Sequence, residues 1–128
     1  MKPLKEFDVR RETKGGVQLL HLTGPLDEYS FKHLQGVLQH VQSEEKLKLV
    51  LECDNLDHIS ASAITSLVEF ARQFREANGQ MVLVRVPEKI AEIIVVLGHS
   101  PEFKFLDSVK DALKLLAPDF KEDQASFK

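Results

Sequence analysis

The run Asn55-Leu56-Asp57-His58-Ile59-Ser60-Ala61-Ser62-Ala63 places one imidazole two and four residues ahead of two hydroxyls. An imidazole within hydrogen-bond reach of a serine can take its proton and turn the oxygen into a nucleophile toward an ester or phosphoester. If the hydroxyls instead lie in the first turn of a helix, they sit among free backbone N–H groups at the positive end of the macrodipole, where a phosphate is stabilised. The plainest use is an N-cap, in which a serine oxygen accepts a backbone N–H and contributes about 1 kcal/mol to the helix. The hydrolase use lacks the strand–GxSxG–helix elbow that exposes a nucleophilic serine. On local pattern alone the cap is preferred.

Little else in the chain has the spacing of a reaction centre. The single cysteine, Cys53, follows the apolar run Leu49-Val50-Leu51 and reads as a small buried residue at a strand end, with no second thiol for a disulfide or a CxxC site. The histidines, His21, His33, His40, His58 and His99, form no HExxH arrangement, so no metal site is expected. The acidic pairs Glu44-Glu45 and Glu122-Asp123 fall where a loop and a tail are expected and read as solvated charge. Gly15-Gly16 belongs to a hairpin and the other glycines are isolated, so no phosphate-cradling loop and no nucleotide or other cofactor is implied.

The elements that must position the serines follow from periodicity. Phe7 to Val9 and Val17 to Leu22 flank Thr13-Lys14-Gly15-Gly16, which predicts an N-terminal β-hairpin, and Thr23-Gly24-Pro25-Leu26-Asp27 is expected to end the second strand. Phe31, Leu34, Val37, Leu38 and Val41 mark a helix over about 30–42. Lys46 to Glu52 reads as a central strand. A second helix is expected from near Ser62, with Ile64, Leu67, Val68, Ala71 and Phe74 inward and a left-handed cap at Asn78-Gly79. Met81 to Val84 is a strand, and Pro87 opens a helix with Ile90, Ile93, Ile94 and Leu97 inward. Phe103 to Leu106 is a short edge strand, and Ser108 caps a last helix that Pro118 stops. The alternation predicts an α/β domain over residues 1–118, with a mixed, mostly parallel sheet, about four helices, and a loosely held polar tail over 119–128.

Composition narrows the class. The chain has 128 residues, 43% apolar and 29% charged, with a formal net charge of −3, which suits one folded domain. Its cations are scattered rather than gathered into a basic stripe, so nucleic acid is not an expected partner. No stretch reaches the roughly 20 apolar residues of a bilayer span, and the first residues lack a signal-peptide core, so no membrane insertion and a cytoplasmic location are expected.

The ordered set Leu22-Thr23-Gly24-Pro25-Leu26-Asp27, Leu49-Val50-Leu51-Glu52, Leu56 to Ala63, Asn78 to Val84 and Leu97-Gly98 resembles the STAS domain family of bacterial anti-sigma factor antagonists, from about Phe7 to Leu116. The resemblance implies a non-enzymatic switch that binds an anti-sigma factor, a serine kinase of the GHKL type, and so controls sigma-factor-dependent transcription. A PP2C-type phosphatase would complete such a cycle. The surface implied for the partner is Asp27, His58, Ile59, Ser60, Ala61, Ser62, Ala63, Thr65, Ser66 and Glu69.

The phosphorylation motif departs from the family pattern. The usual acceptor serine falls on Ala61, the usual glycine is Ala63, and the Gly-Glu-Leu-Asp turn reads Gly24-Pro25-Leu26-Asp27. Either Ser62 or Ser60 accepts phosphate instead, adding about −1.5 to −2 charge at the interface, or the switch is never modified. The unmodified form is preferred, because a one-residue move of the acceptor turns its side chain by about 100° around a helix. A third implied outcome is a STAS subunit seated on the ATPase of a bacterial lipid-transport ABC system.

Overall fold

The computed structural model describes residues 6–120. Most of the expected polar tail, 121–128, lies outside the described residues. Ten elements follow in chain order: β1 (Asp8–Lys14), β2 (Val17–Leu26), α1 (Phe31–Ser43), β3 (Lys48–Ile59), α2 (Ala61–Glu76), β4 (Gln80–Val84), α3 (Glu88–Val96), a single 3-10 turn (Ser100–Glu102), β5 (Lys104–Leu106) and α4 (Val109–Leu116). The five strands form one sheet in the order β1-β2-β3-β4-β5, antiparallel between β1 and β2 and parallel elsewhere. The expected hairpin, strand–helix alternation, central β3 and edge β5 are all present. The tight turn uses Gly15 and Gly16, both at positive φ.

Two strands run further than expected. β2 continues through Gly24 and Pro25 to Leu26, with register shifts against β3 on either side of the Thr23–Gly24 pair. The irregularities absorb what a regular ladder would reject, since Gly24 adopts φ +87° and Pro25 has no N–H to donate. A Cβ on Gly24 would lie 2.5 Å from the Glu6 carbonyl oxygen, so the glycine also admits the incoming chain. β3 likewise continues through Asp54, Asn55 and Asp57, residues of poor strand propensity, because β2 supplies a matching ladder and Leu56 and Ile59 still reach the core. Cys53 therefore lies within a strand rather than at its end. Its thiol is buried and pushed up to about 12 by desolvation and by the neighbouring Asp54 and Glu52 carboxylates, which makes it inert.

The alternation of β-strand side chains divides the apolar residues between two faces. Leu20, Leu22, Leu49, Leu51 and Leu83 face α1, α2 and α3, where Leu34, Leu38, Ile64 and Phe74 are fully enclosed. Val17, Leu19, Val50, Val82 and Val84 point the other way and are covered by Ala112, Leu113 and Leu116 of α4. Phe120 packs on this second cluster and its ring lies against Gly15. Along α3, Ile90 and Ile94 are buried and Ile93 packs partly buried against the first cluster. Leu97 is exposed rather than inward, because the helix ends at Val96 and Gly98 at φ +77° turns the chain away.

The junction from α2 to β4 sets the register of the central strands. Asn78 takes the left-handed conformation at φ +65°, and Gly79 donates its N–H to the Phe74 carbonyl at 2.6 Å, closing the helix. Gly79 itself is not left-handed; it is required because a Cβ there would collide with the Leu47 carbonyl oxygen and Cβ. Gly79→Ala should therefore destabilise the fold by about 2 kcal/mol or more through overpacking against backbone. Asn78→Gly should fall within about 1 kcal/mol of the parent, since glycine accepts positive φ. Urea unfolding of the two variants checks the ordering.

Candidate functional site

The site is built where β2 and β3 end side by side. The Ser60 N–H donates to the Leu26 carbonyl at 2.9 Å, which carries the pairing of the two strands to the first residue of the turn into α2. Ser60 is extended, at φ −85° and ψ 159°, and its Oγ accepts the Ala63 N–H at 3.1 Å. It is the N-cap, and α2 begins at Ala61, one residue before the expected start. The Ser62 hydroxyl lies 3.2 Å from Ser60 Oγ, so the two serines share a hydrogen bond at the mouth of the helix.

The residues of the proposed partner surface separate by burial. Ala61, Ser62, Thr65, Glu69 and His58 are exposed; Ser60, Ser66 and Asp27 are half-buried. Ile59 and Ala63, also assigned to the partner surface, are 3% and 1% exposed and cannot touch a partner. The reason is the turn geometry. Ile59 is the last inward side chain of β3, and Ala63 lies on the same helical stripe as Leu67 and Phe70, facing the sheet. The stretch is therefore not a continuous docking strip. Its exposed part is Ala61-Ser62, followed one turn later by Thr65, whose Oγ1 donates back to the Ala61 carbonyl at 3.1 Å.

Asp27 has a structural task at the same end. Its carboxylate accepts the N–H groups of Tyr29 and Ser30 at 3.0 and 2.9 Å, and the Asp27 carbonyl accepts the Phe31 N–H at 2.8 Å. This turn starts α1, and the Ser30 N–H above all holds the Asp27 carboxyl below its ordinary range, with His58 contributing through its charge. His58 thus lies in the field of Asp27. Among the described residues neither serine hydroxyl is hydrogen-bonded to an imidazole; their partners are each other and the Ala63 N–H. The arrangement required of an activated nucleophile is not formed.

The outer face of α2 is fixed further along. Arg72 and Arg75 both clasp the Glu102 carboxylate, at 2.8 and 3.0 Å, and the two guanidiniums hold its pKa down to about 2. Glu69 stands one turn before Arg72, and its negative charge helps, after Glu102, to hold the Arg72 pKa above its ordinary value. Two further features escape the sequence reading. Tyr29 is 76% exposed beside Asp27, and the signal for it was an aromatic residue placed in a turn, outside the helical period of α1. His21 lies between Glu52 and Glu12, with Nε2 2.6 Å from the Glu12 carboxylate. Those carboxylates lie 31 and 9 residues away in sequence and meet the imidazole only through strand register. They occupy opposite ring nitrogens, so the trio does not converge on a common point. Among the described residues no group of His, Cys, Asp and Glu is arranged to hold a metal.

Comparison with known proteins agrees with this architecture. The STAS domain family model matches residues 8–112. A Bordetella bronchiseptica protein, BtrV, provisionally named an anti-sigma factor antagonist, is 23% identical over 93 residues, covering 73% of this chain and 80% of its own. The crystal structure of an anti-sigma factor antagonist from Mycobacterium paratuberculosis superposes with a TM-score of 0.78 at 17% identity, covering 89% of this chain and 96% of the other. The Bacillus cell fate determinant SpoIIAA in its phosphorylated form gives a TM-score of 0.65 at 12% identity, over 86% and 98% of the two chains. At these identities the structural likeness shows the fold. No helix among the described residues is long and apolar enough to cross a membrane.

The two serines should separate in stability. Ser60→Ala should cost about 1 kcal/mol through loss of the cap, whereas Ser62→Ala, at an exposed position, should stay within about 0.5 kcal/mol in urea unfolding. Acid should act through Asp27. Its folded pKa lies below the unfolded value, so its contribution is fully present above the ordinary 3.8 and is lost as pH falls through the lowered value. Thermal unfolding of Asp27→Asn between pH 5 and pH 2 should accordingly show a flatter acid limb than the parent.

Proposed function

The chain belongs to the STAS domain family, and on that premise we propose that it is an anti-sigma factor antagonist whose partner docks on the exposed start of α2. The observation that carries the reading is the exposure of Ala61 and Ser62 beside the Asp27 turn, with the capping work assigned to Ser60. Small residues leave the partner's backbone free to approach, and the exposed Tyr29 offers the kind of aromatic side chain that anchors interfaces. The partner is an anti-sigma factor of the GHKL serine-kinase type, and the site of action is the cytoplasm. The protein acts as a regulator rather than a catalyst. A structural subunit of a lipid-transport ABC system is the less favoured reading, since BtrV, SpoIIAA and the Mycobacterium paratuberculosis protein bear names tied to sigma-factor control or cell fate.

The geometry also ranks the two hydroxyls. Ser60 Oγ is committed to the Ala63 N–H and is half-buried, so phosphate there would displace the cap. Ser62 is exposed, and among the described residues its hydroxyl is bonded to another hydroxyl alone. If the switch is modified at all, Ser62 is the acceptor. Phosphate on Ser62 would add about −1.5 to −2 charge to a surface otherwise lined by a methyl group and hydroxyls, breaking binding by desolvation and repulsion.

The test is titration of the full chain with the purified GHKL-type anti-sigma factor kinase of the same organism. Ser62→Asp and Ala61→Arg should each weaken binding by about a hundredfold, while the remote Lys110→Ala leaves it unchanged. Equal affinity of all four proteins would overturn the assignment of the surface. Incubation with the kinase and ATP, followed by mass spectrometry, should show phosphate at Ser62 or none, and phosphate at Ser60 would refute the ranking.

A further inference from the structure

At one margin of the sheet, β1 pairs with β2 on one side, and no other strand among the described residues pairs with its outer side. Seven residues without a proline or bulge make a long edge, and α1 does not close over it; an open groove lined by Val9, Arg11, Lys32, His33, Val37 and His40 runs beside the strand. Such an edge is a template for another strand unless charge forbids it. The strand is rich in charge, and the order of those charges identifies what it accepts.

A second copy of β1 can pair antiparallel only in registers that keep side chains on matching faces, which centre the two-fold axis on a residue. Val9 packs toward the first core, so Asp8, Arg10, Glu12 and Lys14 share the opposite face. An axis at Arg10 sets Asp8 against Glu12 of the second copy and Arg10 against itself. An axis at Glu12 sets Arg10 against Lys14 and Glu12 against itself. An axis at Arg11 sets Asp8 opposite Lys14, Arg10 opposite Glu12, and Val9 opposite Thr13, each pair occurring twice by symmetry. Only Arg11 then meets its own copy. Its guanidinium is already neutralised, bonded to the Glu44 carboxylate at 2.5 Å and to the Gln18 side-chain oxygen at 2.7 and 2.9 Å. Glu44, expected as solvated loop charge, is thus the counter-ion that makes the central pair tolerable.

We propose that β1 docks antiparallel on β1 of a second copy of this chain, centred on Arg11, so that the two sheets become one continuous sheet. The backbone ladder supplies the attraction and the alternating charges fix the register. The contact is independent of the start of α2.

Sedimentation equilibrium of the full chain, from micromolar to millimolar at low salt, should show a monomer–dimer equilibrium that weakens as salt is added. Asp8→Lys turns both of its cross-copy pairs repulsive and should weaken the dimer about tenfold, and adding Lys14→Asp in the same chain should restore it. Under mild oxidation Arg11→Cys should form an intermolecular disulfide, as should a mixture of Val9→Cys and Thr13→Cys, whereas either of the last two alone should not; the buried Cys53 stays out of the reaction. A monomer at every concentration would overturn the proposal. So would a dimer that Asp8→Lys leaves unaltered and Arg11→Cys fails to cross-link.

Discussion

The parallel pairing of β2 with β3, carried from Gln18–Leu49 to Leu26–Ile59, is the constraint on which the rest of the molecule depends. It makes β3 the middle of the sheet, gives each face an apolar surface to cover, and ends by fastening Ser60 to Leu26. Because the two strands stop together, the turn that starts α1 and the turn that starts α2 emerge as neighbours. The Asp27 carboxylate and the Ser60 hydroxyl then do equivalent work, each satisfying backbone N–H groups at a helix start that would otherwise lack partners.

That equivalence decides what is available for recognition. Ile59 and Ala63 are drawn into the core by the same geometry that exposes Ala61 and Ser62, since a strand followed at once by a helix cannot keep five successive side chains on one side. The resulting surface is small and lightly functionalised. One hydroxyl caps the helix, while the other, two residues on, stays exposed and bonded to the first. The Arg72–Arg75–Glu102 cluster holds the far half of α2 against the 3-10 turn, keeping the helix a rigid support for its own first turn.

Charge has a different use at the sheet's margin. On β1 it alternates in sign along one face, where a soluble edge strand would be equally well protected by charges of one sign. The hydrogen bonds of His21 to Glu12 and Glu52 tie that face to β2 and β3, so the position of Glu12 is set from inside the sheet. The two surfaces draw on different elements, one on helix termini and the other on a strand edge.

Much of this was legible in the residues alone. The 3.6-residue spacing of Phe31, Leu34, Leu38 and Val41, the glycine pair of the hairpin, the caps at Ser108 and Asn78, and the order of strands and helices are local signals, and local physics was enough to read them. The identity of the family also lay in ordered short stretches. What the sequence could not determine was everything set by a neighbour distant in the chain. β2 and β3 outrun their propensities because each supplies the other's ladder; Gly79 is needed because Leu47 lies against it; Glu44 is held because Arg11 reaches it. The division of Ile59-Ser60-Ala61-Ser62-Ala63 into buried and exposed positions belongs to the same class. Side-chain types prescribe what each residue can do, but burial and pairing are properties of the packed chain, and only tertiary structure brings those partners together.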